Sequence, residues 1–315
     1  MYMQVIMVSG GNGLVGKGIE HISKHASTNY QFVFLSSKEG DLTDYHQTKQ
    51  IFEKYRPDYV IHLAANVGGL YKNMSQKVDM FEKNMQINMN VLKCCHEYHV
   101  KKVVCCLSTC IFPDNTTYPI DETMLHQGPP HSSNDAYAYA KRMLEVQCKA
   151  YQEQYGSRFV CVIPTNIYGP YDNFSLEDGH VIPSLIHKCY LAKEKGEDFV
   201  IRGSGTPLRQ FMYSHDLAKL MMWTLEHYED KDPIILSVSE KDEVSIAEVG
   251  RLIAREFEYE HRIVFDTRFS DGQFKKTANN EKLLGLVKDL SFTPLEKGIK
   301  ESVLWFKENV DTCRK

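Results

Sequence analysis

Gln4-Val5-Ile6-Met7-Val8-Ser9-Gly10-Gly11-Asn12-Gly13-Leu14-Val15-Gly16 is the stretch that decides the fold. Its first six residues are mainly apolar, as expected of a parallel strand covered on both faces. Glycines at 10, 13 and 16 follow at once, and a helix is expected from about Leu14. Such a turn lets backbone amides and a helix N-terminus approach a pyrophosphate closely. An ordinary glycine-rich turn uses the same letters. The strand before it and the helix after it favour a dinucleotide cradle built from Gly10, Gly11, Asn12, Gly13, Leu14, Val15 and Gly16.

Working outward, residues 32–35, 59–64, 103–107 and 159–163 read as further strands. Helices are expected over residues 43–55, stopped by Pro57, over 78–98, and from Tyr137 to about 155. After Pro164 the alternation weakens. Residues 180–192 and 214–227 read as helical, Ser245 to Glu248 as a capping box opening a helix to about 257, and Pro294 as the start of a last helix through Trp305. The pattern predicts an α/β chain with a doubly wound parallel sheet of Rossmann type over residues 1–168. A smaller mixed α/β substrate-binding portion is expected over residues 169–315, with room for some of its elements to return to the sheet.

The 315 residues are 43% hydrophobic and 25% charged, with a net charge of −4. That balance describes a globular protein and gives no footprint for nucleic acid. No apolar run reaches the roughly 20 residues that span a bilayer, and no secretory pattern precedes the first strand, so a cytoplasmic location is expected. Nine cysteines without a C-x-x-C pairing read as free thiols in a reducing compartment, and no metal site is expected.

At the end of the second strand stand Ser36, Ser37 and Lys38, with no carboxylate among them to repel a 2′-phosphate. This favours NADP(H), although an exposed surface loop would look similar. Asp41 and Leu42 flank the adenine, or lead into the helix with Thr43 as its cap.

Two short strings carry the chemistry. On a helix, Lys141 lies one turn after Tyr137, where an ammonium favours the phenolate and lowers the tyrosine pKa. Ser108 would hold the same substrate oxygen as Tyr137, and Cys110, two residues along an extended segment, would point to the same side. A packed aromatic, a solvated lysine and one more core thiol are the bland alternatives. His180 is a cap-region histidine near the site or a surface residue. Arg209, after the loop from Gly203 to Pro207, would clamp a diphosphate or form a structural ion pair.

These residues resemble the extended short-chain dehydrogenase/reductases, through Gly10 to Gly16, His62-Leu63-Ala64-Ala65, Ser108 and Tyr137 to Lys141. More narrowly, the chain resembles the GDP-4-keto-6-deoxymannose 3,5-epimerase/4-reductases within them. The strings are Ala64 to Gly69, Ser108 to Pro113, Pro164 to Pro170, Gly179 to Pro183 and Ser270 to Lys276. The resemblance implies NADPH-dependent conversion of a GDP-sugar, in a homodimer. It makes Tyr137 the acid at O4, Ser108 its companion, and Lys141 a ligand of the nicotinamide ribose. Cys110 and His180 become the epimerisation pair. Ala64, Ala65, Pro164, Thr165, Asn166, Ile167 and His180 become cofactor contacts, and Lys188, Arg202, Arg209 and Asp271 substrate contacts. Asn12 stands where bacterial members carry arginine, and Arg202 where the family usually carries tryptophan. Two other readings are weighed: a different nucleotide-sugar epimerase or dehydratase, which has no need of Cys110 with His180, and a non-catalytic NADP-binding sensor, which has no need of Ser108, Tyr137 and Lys141.

Overall fold

The computed structural model describes residues 3–25, 29–271 and 273–315. The chain divides into two compact units, and the division is not a single cut. Residues 1–116, 122–164 and 215–236 make the first unit, and residues 117–121, 165–214 and 237–315 the second.

In the first unit the expected doubly wound sheet is present. Strand β1 (Gln4–Ser9) leads to helix α1 (Leu14–His25), then β2 (Tyr30–Phe34), α2 (Tyr45–Tyr55) and β3 (Tyr59–His62). A short helix that was not expected, α3 (Leu70–Ser75), precedes the long helix expected next, α4 (Lys77–Glu97), followed by β4 (Lys102–Cys106), α5 (Asp135–Tyr155) and β5 (Phe159–Pro164). The chain then enters the second unit through β6 (Asn166–Tyr168), α6 (Val181–Lys195), β7 (Phe199–Arg202), β8 (Leu208–Arg209) and β9 (Phe211–Tyr213). It comes back to the sheet with α7 (Ser214–His227) and β10 (Ile234–Leu236).

The sheet runs β10-β5-β4-β3-β1-β2, every pairing parallel. From β1 the chain steps to β2 on one side and then to β3 on the other. That reversal leaves the carboxyl ends of β1 and β3 as the place where an open sheet of this kind takes a ligand. Ile6, Val8, Val60, Ile61, Val103 and Val104 are fully buried, because helices cover both faces. Lys102 is buried too, and its Nζ donates to the carbonyls of Thr224 (2.7 Å) and Tyr228 (2.5 Å), capping the last turn of α7. Asp44, rather than Thr43, caps α2: its carboxylate accepts from Gln47 N, while Thr43 is held by Asp41. Asp44 is one residue nearer the first free helical amides, so it displaces the expected cap.

The remaining elements of the second unit are β11 (Val244–Ser245), α8 (Ile246–Glu256), β12 (Ile263–Asp266), α9 (Glu281–Leu286) and α10 (Leu295–Glu308). Three short pairings, β6 with β9, β7 with β12 and β8 with β11, surround a core that includes Tyr168, Ile186, Phe199, Ile253 and Phe306. Ser245 Oγ accepts Glu248 N at 3.1 Å and starts α8 as expected. Among the described residues no helix is long and apolar enough to cross a membrane, and all nine cysteines are free thiols.

Candidate active site

Each glycine between β1 and α1 answers a distinct steric demand. Gly10 has φ +71°, and a Cβ there would stand 2.9 Å from Ala64 N. A Cβ on Gly16 would meet Gly11 O at 2.5 Å, and one on Gly11 would meet Phe34 at 2.7 Å. The turn is thus closed against the ends of β2 and β3, with no space for side chains at Gly10, Gly11 and Gly16. Ser9 binds it to the His62–Ala65 string, since its Oγ lies 2.8 Å from His62 Nδ1 and accepts from Leu63 N and Ala64 N. Asn12 is exposed, while Leu14 and Val15 start the helix half-buried. This is a backbone cradle of the shape a pyrophosphate needs.

At the end of β2 the structure adds one residue to the reading. The stretch is free of acid only as far as Lys38. Glu39 turns back, and its carboxylate accepts from Ser36 N (2.6 Å) and Ser36 Oγ (2.7 Å), which holds it below its ordinary pKa. Ser37 and Lys38 lie exposed on the same turn. Asp41 is occupied with Thr43, and Leu42 offers its carbonyl to Asn90 Nδ2 at 3.0 Å.

The reactive groups of the first unit sit between β4 and α5. Only Ser108 of the Ser108–Ile111 segment is extended. Residues Thr109–Ile111 form one 3-10 turn, capped by Ser108, whose Oγ accepts from Cys110 N at 3.4 Å. Strand alternation therefore does not explain the pairing of Ser108 with Cys110; the turn itself brings them together. Cys110 is buried, but at 9% exposed less deeply than the core cysteines such as Cys105 and Cys189 at 0%; it belongs to this turn and interacts electrostatically with Tyr137, Lys141 and Arg142.

Tyr137 and Lys141 share one face of α5, with Lys141 Nζ 5.8 Å from the Tyr137 ring centroid. The expected lowering of the tyrosine pKa is absent. Burial, with Cys110 and Cys106 nearby, pushes the phenol well above its ordinary value. Lys141 is itself buried, its Nζ donates to Cys106 O at 2.8 Å, and desolvation lowers its own pKa. At neutral pH Tyr137 is thus a phenol, the form able to give a proton, and Ser108 retains a hydroxyl hydrogen to donate to the same oxygen.

Pro164 ends β5, and the second unit resumes at Thr165, whose buried Oγ1 has no hydrogen-bond partner, while Asn166 Nδ2 donates to Gln210 O at 2.9 Å and Ile167 pairs with Met212. A buried hydroxyl left unsatisfied is what a ligand-binding loop presents before its ligand is bound. His180 is the N-cap residue of α6 and reaches solvent, yet surrounding protein disfavours its imidazolium and Arg314 adds to the effect, so its pKa lies below the ordinary value. Lys188, further along α6, is likewise lowered by desolvation and then by Arg202. Arg202 lays its guanidinium 4.5 Å from the Phe269 ring centroid. Arg209 settles neither alternative as posed: it donates to the carbonyls of Leu208 (2.7 Å) and Gln273 (2.7 Å), which braces the 273–274 segment. Asp271 accepts from Ser204 N and Oγ, at 2.6 and 2.7 Å, and so closes the loop at Gly203 to Gly205. Gly272, in the 270–276 string, lies outside the described residues.

A sequence profile described as the NAD dependent epimerase/dehydratase family matches residues 6–239. The chain belongs to that family. Among curated members, it is 57% identical over 313 residues to a GDP-L-fucose synthase of Dictyostelium discoideum, covering 99% of this chain and 98% of that one. It is 50% identical to a probable GDP-L-fucose synthase of Drosophila melanogaster, over 99% and 100% of the two chains. Among solved structures, a GDP-L-fucose synthetase from Naegleria fowleri bound to NADP superposes with a TM-score of 0.96 at 53% identity, covering 100% of this chain and 96% of that one.

Three residues of this epimerase/dehydratase chain escaped the sequence reading. Glu39 stands one position beyond the segment inspected. Arg142 directly follows Lys141 and reads as a solvated helix charge. Asp172 sits in a polar loop that gives no sign of burial, yet it is 3% exposed, and its carboxyl is pushed up to about 7 by desolvation.

Proposed function

We propose that this chain is an NADPH-dependent enzyme that epimerises C3 and C5 of GDP-4-keto-6-deoxy-D-mannose and reduces C4, giving GDP-L-fucose. The observation that carries the reading is the Ser108–Ile111 turn set against Tyr137 and Lys141 on α5, in a chain similar over nearly its whole length to GDP-L-fucose synthases.

The cradle at Gly10 to Gly16 fits a dinucleotide, Ser37 and Lys38 fit a 2′-phosphate, and the unsatisfied Thr165 hydroxyl fits a further contact; Ala64, Ala65, Pro164, Asn166 and Ile167 are the remaining cofactor contacts of this reading. NADPH, when bound, supplies the hydride for C4. Tyr137 gives its phenolic proton to O4, Ser108 donates a hydrogen bond to the same oxygen, and Lys141 holds a ribose hydroxyl. The C4 ketone acidifies the hydrogens on C3 and C5. In this reading Cys110 and His180 are the proton-transfer pair for those carbons, one removing a proton and the other returning one, because a thiol and an imidazole have ordinary pKa values on either side of neutrality. Lys188, Arg202, Arg209 and Asp271 take the nucleotide end of the substrate. Arg202 stacks where other members use tryptophan, and its planar guanidinium suits that place. The reading carries with it a homodimer in the cytoplasm, where nine free thiols persist.

The test is to mix the protein with GDP-4-keto-6-deoxy-D-mannose and NADPH, follow the loss of absorbance, and identify the sugar. GDP-L-fucose supports the reading; a C4-reduced sugar with C3 and C5 unchanged leaves only a reductase.

A further inference from the structure

Arg142 is 5% exposed, although its place beside Lys141 on a surface-lying helix would ordinarily send it to solvent. Its Nε donates to Ile111 O at 2.6 Å, and its buried Nη2 has no hydrogen-bond partner. An arginine cannot shed its proton to escape burial, so this site carries a fixed positive charge at all working pH values. The carbonyl that it grips belongs to the last residue of the same 3-10 turn that carries Cys110, and the guanidinium and the thiol interact electrostatically. Tyr137, kept neutral by burial, and Lys141, whose Nζ is committed to Cys106 O, interact with the thiol as well. Tyr139, on the Arg142 side, presents its ring 5.6 Å from the guanidinium carbon.

We propose that Arg142 is a positioning residue for epimerisation: it clamps the Ser108–Ile111 turn through the Ile111 carbonyl and supplies the positive field that favours Cys110 as a thiolate. The inference rests on the reading of Cys110 as the acid/base group. In that step the thiolate takes a proton from the carbon next to the C4 ketone and becomes a thiol, while the electron pair of the broken C–H bond moves to O4 as an enolate.

Two substitutions separate the field from the clamp. Arg142→Gln keeps an N–H donor for the Ile111 carbonyl but removes the charge; Arg142→Lys keeps the charge. The pH profile of Cys110 alkylation by iodoacetamide, read by mass spectrometry of its peptide, reports the thiolate without any sugar turnover. Arg142→Gln should move the midpoint up by about one unit or more, and Arg142→Lys should stay near the parent. Equal midpoints in all three proteins overturn the proposal and leave Arg142 a structural brace. Should Arg142→Gln fail to fold, the thiolate absorbance of the parent minus that of Cys110→Ser gives the Cys110 midpoint directly. A midpoint at or above the ordinary value of about 8.5 overturns the proposal, and one below it supports it. If the profile shifts as expected while Cys110→Ser still exchanges the substrate hydrogens, the field stands and the catalytic reading of Cys110 falls.

Discussion

The ammonium of Lys141 is tied to the carbonyl of Cys106 across 2.8 Å, one strand away from the phenol that it was expected to ionise. The consequence is a division of labour. Tyr137 remains a phenol, able to give a proton, while Lys141 is an anchored cation at the carboxyl end of β4.

Tyr137→Phe keeps the ring and removes the proton. NADPH oxidation by the keto-sugar should fall by roughly 100-fold or more, with NADPH affinity unchanged in a fluorescence titration. Because burial and the neighbouring thiols raise the phenol pKa, reduction by the unmodified protein should show no loss through neutral pH. The loss of its acid should come only above the ordinary tyrosine value of about 10.

Lys38→Glu sets a second carboxylate beside Glu39 at the end of β2. The KM for NADPH should rise by about ten-fold or more, corresponding to about 1.4 kcal/mol, while that for NADH should change little. Equal responses of the two cofactors would remove Lys38 from 2′-phosphate recognition.

Asp172 gives a pH dependence of stability with a defined sign. Its carboxyl titrates near 7 in the fold and near 4 in the unfolded chain, so the native state holds an extra proton between these values. The contribution is fully present below about pH 4 and is lost as pH rises through 7. Asp172→Asn should therefore gain melting temperature over the parent at pH 8, and the gain should vanish near pH 4. A constant difference across this range would place the effect in packing rather than titration.

Lys102→Met removes the donor that caps α7. Two buried carbonyls lose their partner, which should cost about 1–3 kcal/mol in denaturant unfolding, with the KM values untouched.

Much of this was legible in the chain. The apolar run before Gly10 and the alternation through Pro164 give the sheet, because a strand buried on both faces has few polar positions to disguise it. The capping serine of α8 and the Ser214–His227 helix are equally plain. Some of what was hidden is short-range: the letters do not announce that Glu39 folds back on Ser36 or that the segment after Ser108 tightens into a 3-10 turn. The rest depends on contacts far along the chain, as where Lys141 takes a carbonyl from β4. Arg142 shows the limit best: a charged letter on a helix reads as surface, and only its bond to Ile111 reveals it as part of the core.

The central claim is that Cys110 and His180 move protons while Tyr137 serves hydride transfer, and deuterium exchange tests it most directly. The keto-sugar is incubated with each protein in deuterated water without NADPH, and incorporation at C3 and C5 is read by mass spectrometry or NMR. The unmodified protein and Tyr137→Phe should incorporate deuterium at both carbons, whereas Cys110→Ser and His180→Gln should incorporate far less. Full incorporation by those two variants would contradict the account and return them to a core thiol and a surface histidine.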